Sequence, residues 1–110
     1  MLEKRHYESD LGFIDYGYDI DYKPNGLLVF MGSYVYKINR GGGAYKKILR
    51  DFLEYFPEGT LIQIPIENKF LIPLFTRMGL EKVNQIEFWG ELSGSVLMQG
   101  VLTKNTIKSI

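Results

Sequence analysis

Cysteine is absent from the 110 residues. That excludes a disulfide framework, a thiol nucleophile and a thiolate zinc site, and it fits a cytoplasmic protein. Histidine occurs once, as His6, in a polar stretch where it reads as a surface residue. Neither Ser33 nor Ser95 has a histidine near it in sequence, so a serine hydrolase triad has no support. An excess of one charge is missing too. Lys+Arg and Asp+Glu number 13 each, for a net charge of zero, so nucleic acid and membrane surfaces find no basic field on the chain as a whole. No apolar run approaches the ~18 residues a membrane span needs. Residues 1–10 are charged and lack the apolar centre of a signal peptide.

What is present is ordinary in balance and rich in rings. Hydrophobic residues make up 45% and charged residues 24%, which describes one globular domain over residues 1–110. Residues 1–10 and 105–110 are expected to be tails, the first of them a short strand at most. Aromatics reach 15%, with eight Tyr and seven Phe, and they favour strands and a rigid core.

From Leu11 to Tyr22 the chain alternates. Ile14, Tyr16, Tyr18, Ile20 and Tyr22 share one face, and Phe13, Asp15, Gly17, Asp19 and Asp21 share the other. This predicts a half-buried strand. The three aspartates on one face suggest a metal or acid–base site, but a solvated strand face is the better reading, because carboxylates are rarely buried without partners. No metal site is expected. Lys23-Pro24-Asn25-Gly26 is a turn, Leu27 to Met31 a second strand, Gly32-Ser33 a break and Tyr34 to Ile38 a third strand.

After Arg40-Gly41-Gly42-Gly43, the residues Tyr45, Ile48, Leu49, Phe52, Leu53 and Phe56 recur at helical spacing. Pro57-Glu58-Gly59 stops that helix. Thr60 to Ile66 is a strand whose Pro65 demands an edge or a local break in pairing. Reached through a helix, this strand is expected to run parallel to the one before it. Glu67 to Met78 is a second helix, kinked or cut into short turns by Pro73 and closed by Gly79. Gln85 to Leu92 and Ser95 to Thr103 read as a closing hairpin around Ser93-Gly94. The fold class is therefore mixed α/β: a largely antiparallel sheet with one strand–helix–parallel strand crossover and helices packed on it.

Three consecutive glycines cost chain entropy. One reason to keep them is close approach of the backbone to a ligand, with orphan N–H groups at the positive end of a helix dipole and Arg40 beside them. A pyrophosphate suits such a place. A flexible turn from strand to helix explains the glycines equally well. A Walker-type loop is excluded, because Ala44-Tyr45 follows Gly43 where Lys-Ser/Thr is required. The dinucleotide fingerprint fails for want of its distant acidic residue.

The arrangement resembles the GNAT superfamily of N-acetyltransferases. Its acetyl-CoA loop has the form Arg/Gln-x-x-Gly-x-Gly/Ala at a strand-to-helix junction, and Arg40 and Gly43 match it. Further on, Asn68 matches an Asn that opens the next helix, and Gly79-Leu80 matches that helix's end. The likeness spans Leu11 to Thr103 and departs from the family in three places. Tyr45 stands where Gly or Ala is usual. Phe75 stands at a Tyr that in many members protonates the departing CoA thiolate, and it has no proton to give. About ten residues precede the first clear strand, where the family normally has a strand and one or two helices, so this end is expected to be shortened.

The resemblance implies acetyl-CoA as co-substrate and an unidentified amine as acceptor. Contacts to the cofactor are expected from Tyr36, Ile38, Asn39, Arg40, Gly41, Gly42, Gly43, Ala44, Tyr45, Asn68 and Phe75. A backbone N–H within Tyr36 to Asn39 would polarise the thioester. Glu67, where the strand splays from its neighbour, is the candidate base, with an ordinary helix-start carboxylate as the competing reading. Tyr34, Tyr36 and Tyr45 are alternative proton carriers, though packing explains each. Trp89 reads as core or interface. Lys46, Lys47 and Arg50 form a basic face beside the loop, suited to a 3′-phosphate or to solvent. Two other classes stay open: a GNAT-shaped binding or regulatory module without catalysis, and a structural protein that forms a homodimer through its aromatic strands.

Overall fold

The computed structural model describes residues 1–83 and 96–110. Among the described residues six strands form one sheet in the order β1-β2-β3-β4-β6-β5. They are β1 (Glu3–Glu8), β2 (Gly12–Asp19), β3 (Leu27–Val35), β4 (Leu61–Ile66), β5 (Glu81–Lys82) and β6 (Val96–Val101). Helix α1 (Ala44–Leu53) links β3 to β4, α2 (Ile72–Arg77) follows β4, and α3 (Lys104–Lys108) ends the chain. All strand pairs are antiparallel except β3 and β4, which run parallel. The expected mixed architecture is thus observed, with its single crossover through α1.

The alternation in β2 reports its faces. Ile14 and Tyr18 are buried, and the ring of Tyr16 meets Phe52 edge-on at 4.8 Å. From α1, Ile48, Leu49, Phe52 and Leu53 pack on this face together with Leu28 and Phe30 of β3. Phe52 lies at the centre of an aromatic cluster, 5.6 Å from Phe30 and 5.0 Å from Phe56. Such edge-to-face pairs add stability beyond the area they bury.

Four local readings change. Gly32-Ser33 does not break the chain, and β3 is one strand to Val35. Opposite β2 the register passes from Asp15↔Gly32 to Tyr16↔Phe30, so Met31 is a bulge residue and the strand bends there. The meander is completed by β1 instead, within the expected N-terminal tail, and Lys37–Asn39 form a 3-10 turn. The helix expected from Glu67 is limited to short turns, as Pro73 implied: a 3-10 turn, Lys69–Leu71, and α2, whose first turn tolerates the proline's missing N–H; what changes is the phase of Phe70. The tighter turn shifts the helical phase, and Phe70, expected on the buried face, is 92% exposed. Residues 104–108 form α3 rather than fraying, because Thr103 and Thr106 make a capping box.

Gly79 closes α2 as expected. Its φ is +92°, its N–H donates to the Thr76 carbonyl at 3.0 Å, and the Leu80 N–H donates to the Phe75 carbonyl at 3.0 Å. This double closure is a Schellman motif. The expected strand Gln85 to Leu92, Trp89 within it and the turn at Ser93-Gly94 lie outside the described residues. Among the described residues, no helix is long and apolar enough to cross a membrane.

Candidate active site

The site begins with the parallel pair. β3 and β4 are paired only from Leu27↔Leu61 to Val29↔Gln63, after which β3 runs on to Val35 and β4 to Ile66 without meeting. The bulge at Met31 turns β3 away. Pro65 explains why β4 accepts this. It stands opposite Leu97 in a ladder with β6 that continues to Ile66. Its missing N–H therefore falls on the side where β3 has left.

The gap is a cavity of about 480 Å³. Its walls are Phe30 to Ser33 on one side and Ile64 to Asn68 on the other, with Tyr45, Leu71 and Phe75 between them. A second hollow, of about 600 Å³, opens beside the glycine loop and is lined by Arg40, Gly41, Gly43, Ala44, Lys46 and Arg77 among others. Ser33, Tyr45 and Leu71 line both. The two hollows are therefore neighbours, with Tyr45 on a wall of each.

The loop end of the second hollow holds the start of α1. Gly43 caps α1 with φ +76° and no side-chain cap, and no acidic residue occupies the first turn. Lys46 and Lys47 stand there instead, the reverse of what the helix dipole favours by itself. Lys47 is paired with Asp51 at 3.5 Å, and the first N–H groups of a helix lack intrahelical acceptors. A Cβ added at Gly41, Gly42 or Gly43 would meet no atom within 4 Å, so no internal crowding requires these glycines. Arg40 lines this hollow, but its Nε donates to the Val35 carbonyl at 3.0 Å and its guanidinium lies 5.0 Å from the Tyr34 ring centre.

At the other end, Glu67 and Asn68 line the mouth of the cleft. The Asn68 side chain accepts from the Phe70 N–H at 3.0 Å and so opens the turn that leads into α2. Phe75 is fully buried and meets the Tyr45 ring edge-on at 6.5 Å. Burial pushes the Tyr45 phenol above its ordinary pKa, and the Ser33 hydroxyl beside it opposes that shift.

The two hollows between them gather Arg40, Gly41, Gly43, Ala44, Tyr45, Glu67, Asn68 and Phe75, with Gly42 inside the loop. Tyr36, Ile38 and Asn39 are not on their walls. The Tyr36 hydroxyl donates to Glu8, Asn39 Nδ2 donates to the Asp10 carbonyl at 3.1 Å, and Ile38 is 92% exposed. The strand backbone that borders the cleft is Phe30 to Ser33. Sequence reasoning passed over Met31, Gly32 and Ser33 because a Gly-Ser pair reads as a terminator; the bulge they belong to has no signature of its own.

A second polar cluster lies at β1. His6 is not partnerless: its Nδ1 is 2.5 Å from Asp15 Oδ1 and its Nε2 is 2.9 Å from Glu8 Oε1. The Glu8 and Asp15 carboxylates hold its pKa above 6.5. Asp19 instead takes the amino group of Met1 at 3.2 Å and the Asp21 N–H at 3.0 Å, so the aspartates of that face are divided among separate partners.

Among the described residues, this sheet split beside a glycine loop that opens a helix is a fold shared with solved N-acetyltransferases. Its solved neighbours include Arabidopsis thaliana NAA60, in complex with a bisubstrate analogue and in complex with acetyl-CoA. The first has 18% identity and a TM-score of 0.53, covering 83% of this chain and 64% of that one. The second has 16% identity and a TM-score of 0.55, covering 84% and 65%. A ribosomal-protein-alanine N-acetyltransferase from Brucella melitensis has 22% identity and a TM-score of 0.50, covering 86% and 65%. The chain thus spans about 65% of the length of these neighbours. No family model and no curated protein matches the sequence.

Proposed function

We propose that this domain binds acetyl-CoA across the two hollows and transfers its acetyl group to a primary amine. The observation that carries the reading is that the two hollows are neighbours sharing Ser33, Tyr45 and Leu71. In this reading the glycine loop is a cradle for phosphates beside a cleft between diverging strands, and one extended ligand lies with its anionic end on Gly41–Tyr45 and its acyl end between β3 and β4. One neighbour of the same fold is crystallised with acetyl-CoA.

In this reading Arg40 to Tyr45 hold the pyrophosphate through backbone N–H groups, and Lys46 and Arg77 supply charge. The unpaired edge of β3 offers N–H groups to the thioester carbonyl, which polarises it without a metal ion. Tyr36, Ile38 and Asn39 act from behind: the first and last are tied to the β1 side of the sheet and fix the loop's approach. Asn68 and Phe75 shape the acyl end. Glu67, at the mouth, takes the proton of the incoming amine through water. The enclosure otherwise works by proximity, holding amine and thioester within reach of each other.

The test is thermal denaturation with acetyl-CoA. A ligand at ~100 times its dissociation constant stabilises its protein by about 2.7 kcal/mol. The wild type is expected to gain such a shift, and Gly43→Glu, which places a carboxylate in the cradle, to lose it. Absence of any shift at millimolar acetyl-CoA would refute the proposal. One observation favours a second reading, a binding module without turnover: Phe75 offers no proton. Acetyl-CoA binding without transfer to any amine would select it.

A further inference from the structure

We infer that His6, Glu8 and Tyr36 form a clasp that holds the approach to the glycine loop while His6 is charged and slackens it when His6 loses its proton. Only the ligand whose affinity the clasp tunes rests on the acetyl-CoA reading above. The three groups lie outside the site, and none of them lines either hollow. Their connection to it runs through the chain. Tyr36 opens a short connector, made of the 3-10 turn Lys37–Asn39 and Arg40, that delivers Gly41 to Gly43 to the start of α1.

Among the described residues, three hydrogen bonds fasten that connector to the β1–β2 hairpin. The Tyr36 N–H donates to the Leu11 carbonyl at 2.9 Å, Asn39 Nδ2 donates to the Asp10 carbonyl at 3.1 Å, and the Tyr36 hydroxyl donates to Glu8 Oε2. The first two involve no titratable group. The third depends on His6. Glu8 Oε1 is 2.9 Å from His6 Nε2, and Asp15 Oδ1 is 2.5 Å from His6 Nδ1, so a charged ring donates to both carboxylates at once. The ring is faced by Glu8 from its own strand, by Asp15 and the Phe13 ring of β2, the latter at 5.1 Å, and, through Glu8, by Tyr36. Lys4 stands two residues before His6 on the same face of β1, opposite Gly17.

Loss of the proton breaks this bridge on one side. A neutral imidazole keeps a single N–H. The Asp15 contact is the shorter, so Nδ1 keeps it and Nε2 turns a lone pair to Glu8. Two acceptors then face each other, and the half-exposed Glu8 carboxylate swings to water and releases Tyr36. The Tyr36 ring stands edge-on to Tyr34 at 6.0 Å, and the Arg40 guanidinium lies 5.0 Å from the Tyr34 ring centre. Freedom at Tyr36 therefore reaches Arg40 by packing as well as along the backbone. The other two members keep their charge near neutral pH. The Tyr36 hydroxyl, and then His6, hold Glu8 below its ordinary range, and Glu8 raises the Tyr36 phenol. The Glu8 and Asp15 carboxylates hold His6 above 6.5. The loop is thus fastened below that midpoint and loosened above it, and it binds an anion more weakly as pH rises.

The experiment takes two readouts from about pH 5 to about pH 9, a span that brackets a raised histidine. The first uses the ligand-free protein. The amide signals of Gly41 to Gly43 should move with the His6 midpoint. In Tyr36→Phe, which keeps the ring and deletes the hydroxyl, His6 should still titrate while those amides stay still. The second is calorimetry with acetyl-CoA. Its Kd should rise about 5-fold across the His6 midpoint in wild type, measured against Tyr36→Phe so that the ligand's own phosphate titration cancels, and the variant should bind at the weaker level throughout. By reciprocity, saturating acetyl-CoA should raise the His6 midpoint. Below that midpoint the clasp is closed with and without ligand, so acetyl-CoA leaves the His6 and Asp15 amides in place there. Loop amides that ignore the His6 midpoint overturn the inference. So does a Kd whose pH dependence is the same in Tyr36→Phe, or a His6 midpoint that saturation leaves unmoved. A wild type whose loop amides follow His6 but which binds no acetyl-CoA at any pH refutes the earlier reading and leaves the clasp standing.

Discussion

Gly42 and Gly43 are adjacent in the loop, and alanine at each should change stability in opposite directions. Neither Cβ would touch anything within 4 Å, so contacts do not enter and the backbone alone decides. Gly43 has φ +76°, where an L side chain costs about 1–2 kcal/mol. Gly42 is not among the glycines with positive φ, so alanine there mainly restricts the unfolded chain and stabilises by about 0.4–1 kcal/mol. In a domain near this size 1 kcal/mol moves Tm by about 4–8 °C. Gly43→Ala should melt about 4 °C or more below wild type and Gly42→Ala a few degrees above it. Urea titration with an unchanged m-value would confirm that stability moved and the folded state did not. Shifts of the same sign would refute the assignment of left-handed backbone to Gly43 alone of the pair, and with it the argument that Gly42 is free of internal constraint.

Three other outcomes follow from the same structure. Phe75→Ala empties a fully buried ring position and should cost about 3–5 kcal/mol in chemical denaturation, while Phe75→Tyr leaves acetyl-CoA binding intact. Thr103→Ala removes the cap that starts α3 and should cost about 1 kcal/mol, with faster amide exchange confined to residues 104–108. His6 should titrate above 6.5 by NMR, since Glu8 and Asp15 favour its charged form. Because the folded-state pKa is the raised one, its contribution to stability is complete below the unfolded value and is lost as pH rises through the folded value. Glu8→Gln should bring the His6 midpoint down.

Much of this fold can be read along the chain because burial imposes a period. The helical spacing of Ile48, Leu49, Phe52 and Leu53 and the alternation of Ile14, Tyr16 and Tyr18 name the two surfaces that meet. Pro65 announces that one side of β4 has no ladder partner, and so marks the cleft before any coordinates do. Where burial imposes nothing, the sequence is silent. β1 is an exposed edge strand of charged residues, which protects the edge from unwanted pairing and erases the apolar pattern that would reveal it. The bulge at Met31 shows in the register and not in composition. The direction of the Tyr45 ring depends on Phe75, from a different helix, and only tertiary packing brings the two together.

The account's central claim is that one ligand site runs from the glycine loop to the split between β3 and β4. An amide chemical-shift titration of the isotope-labelled protein with acetyl-CoA tests it directly. The account predicts saturable changes at Gly41–Tyr45, at Met31–Ser33 and at Glu67–Phe75 together, with His6 and Asp15 undisturbed. Changes confined to one end of that path, or an unmoved spectrum at millimolar ligand, would contradict it.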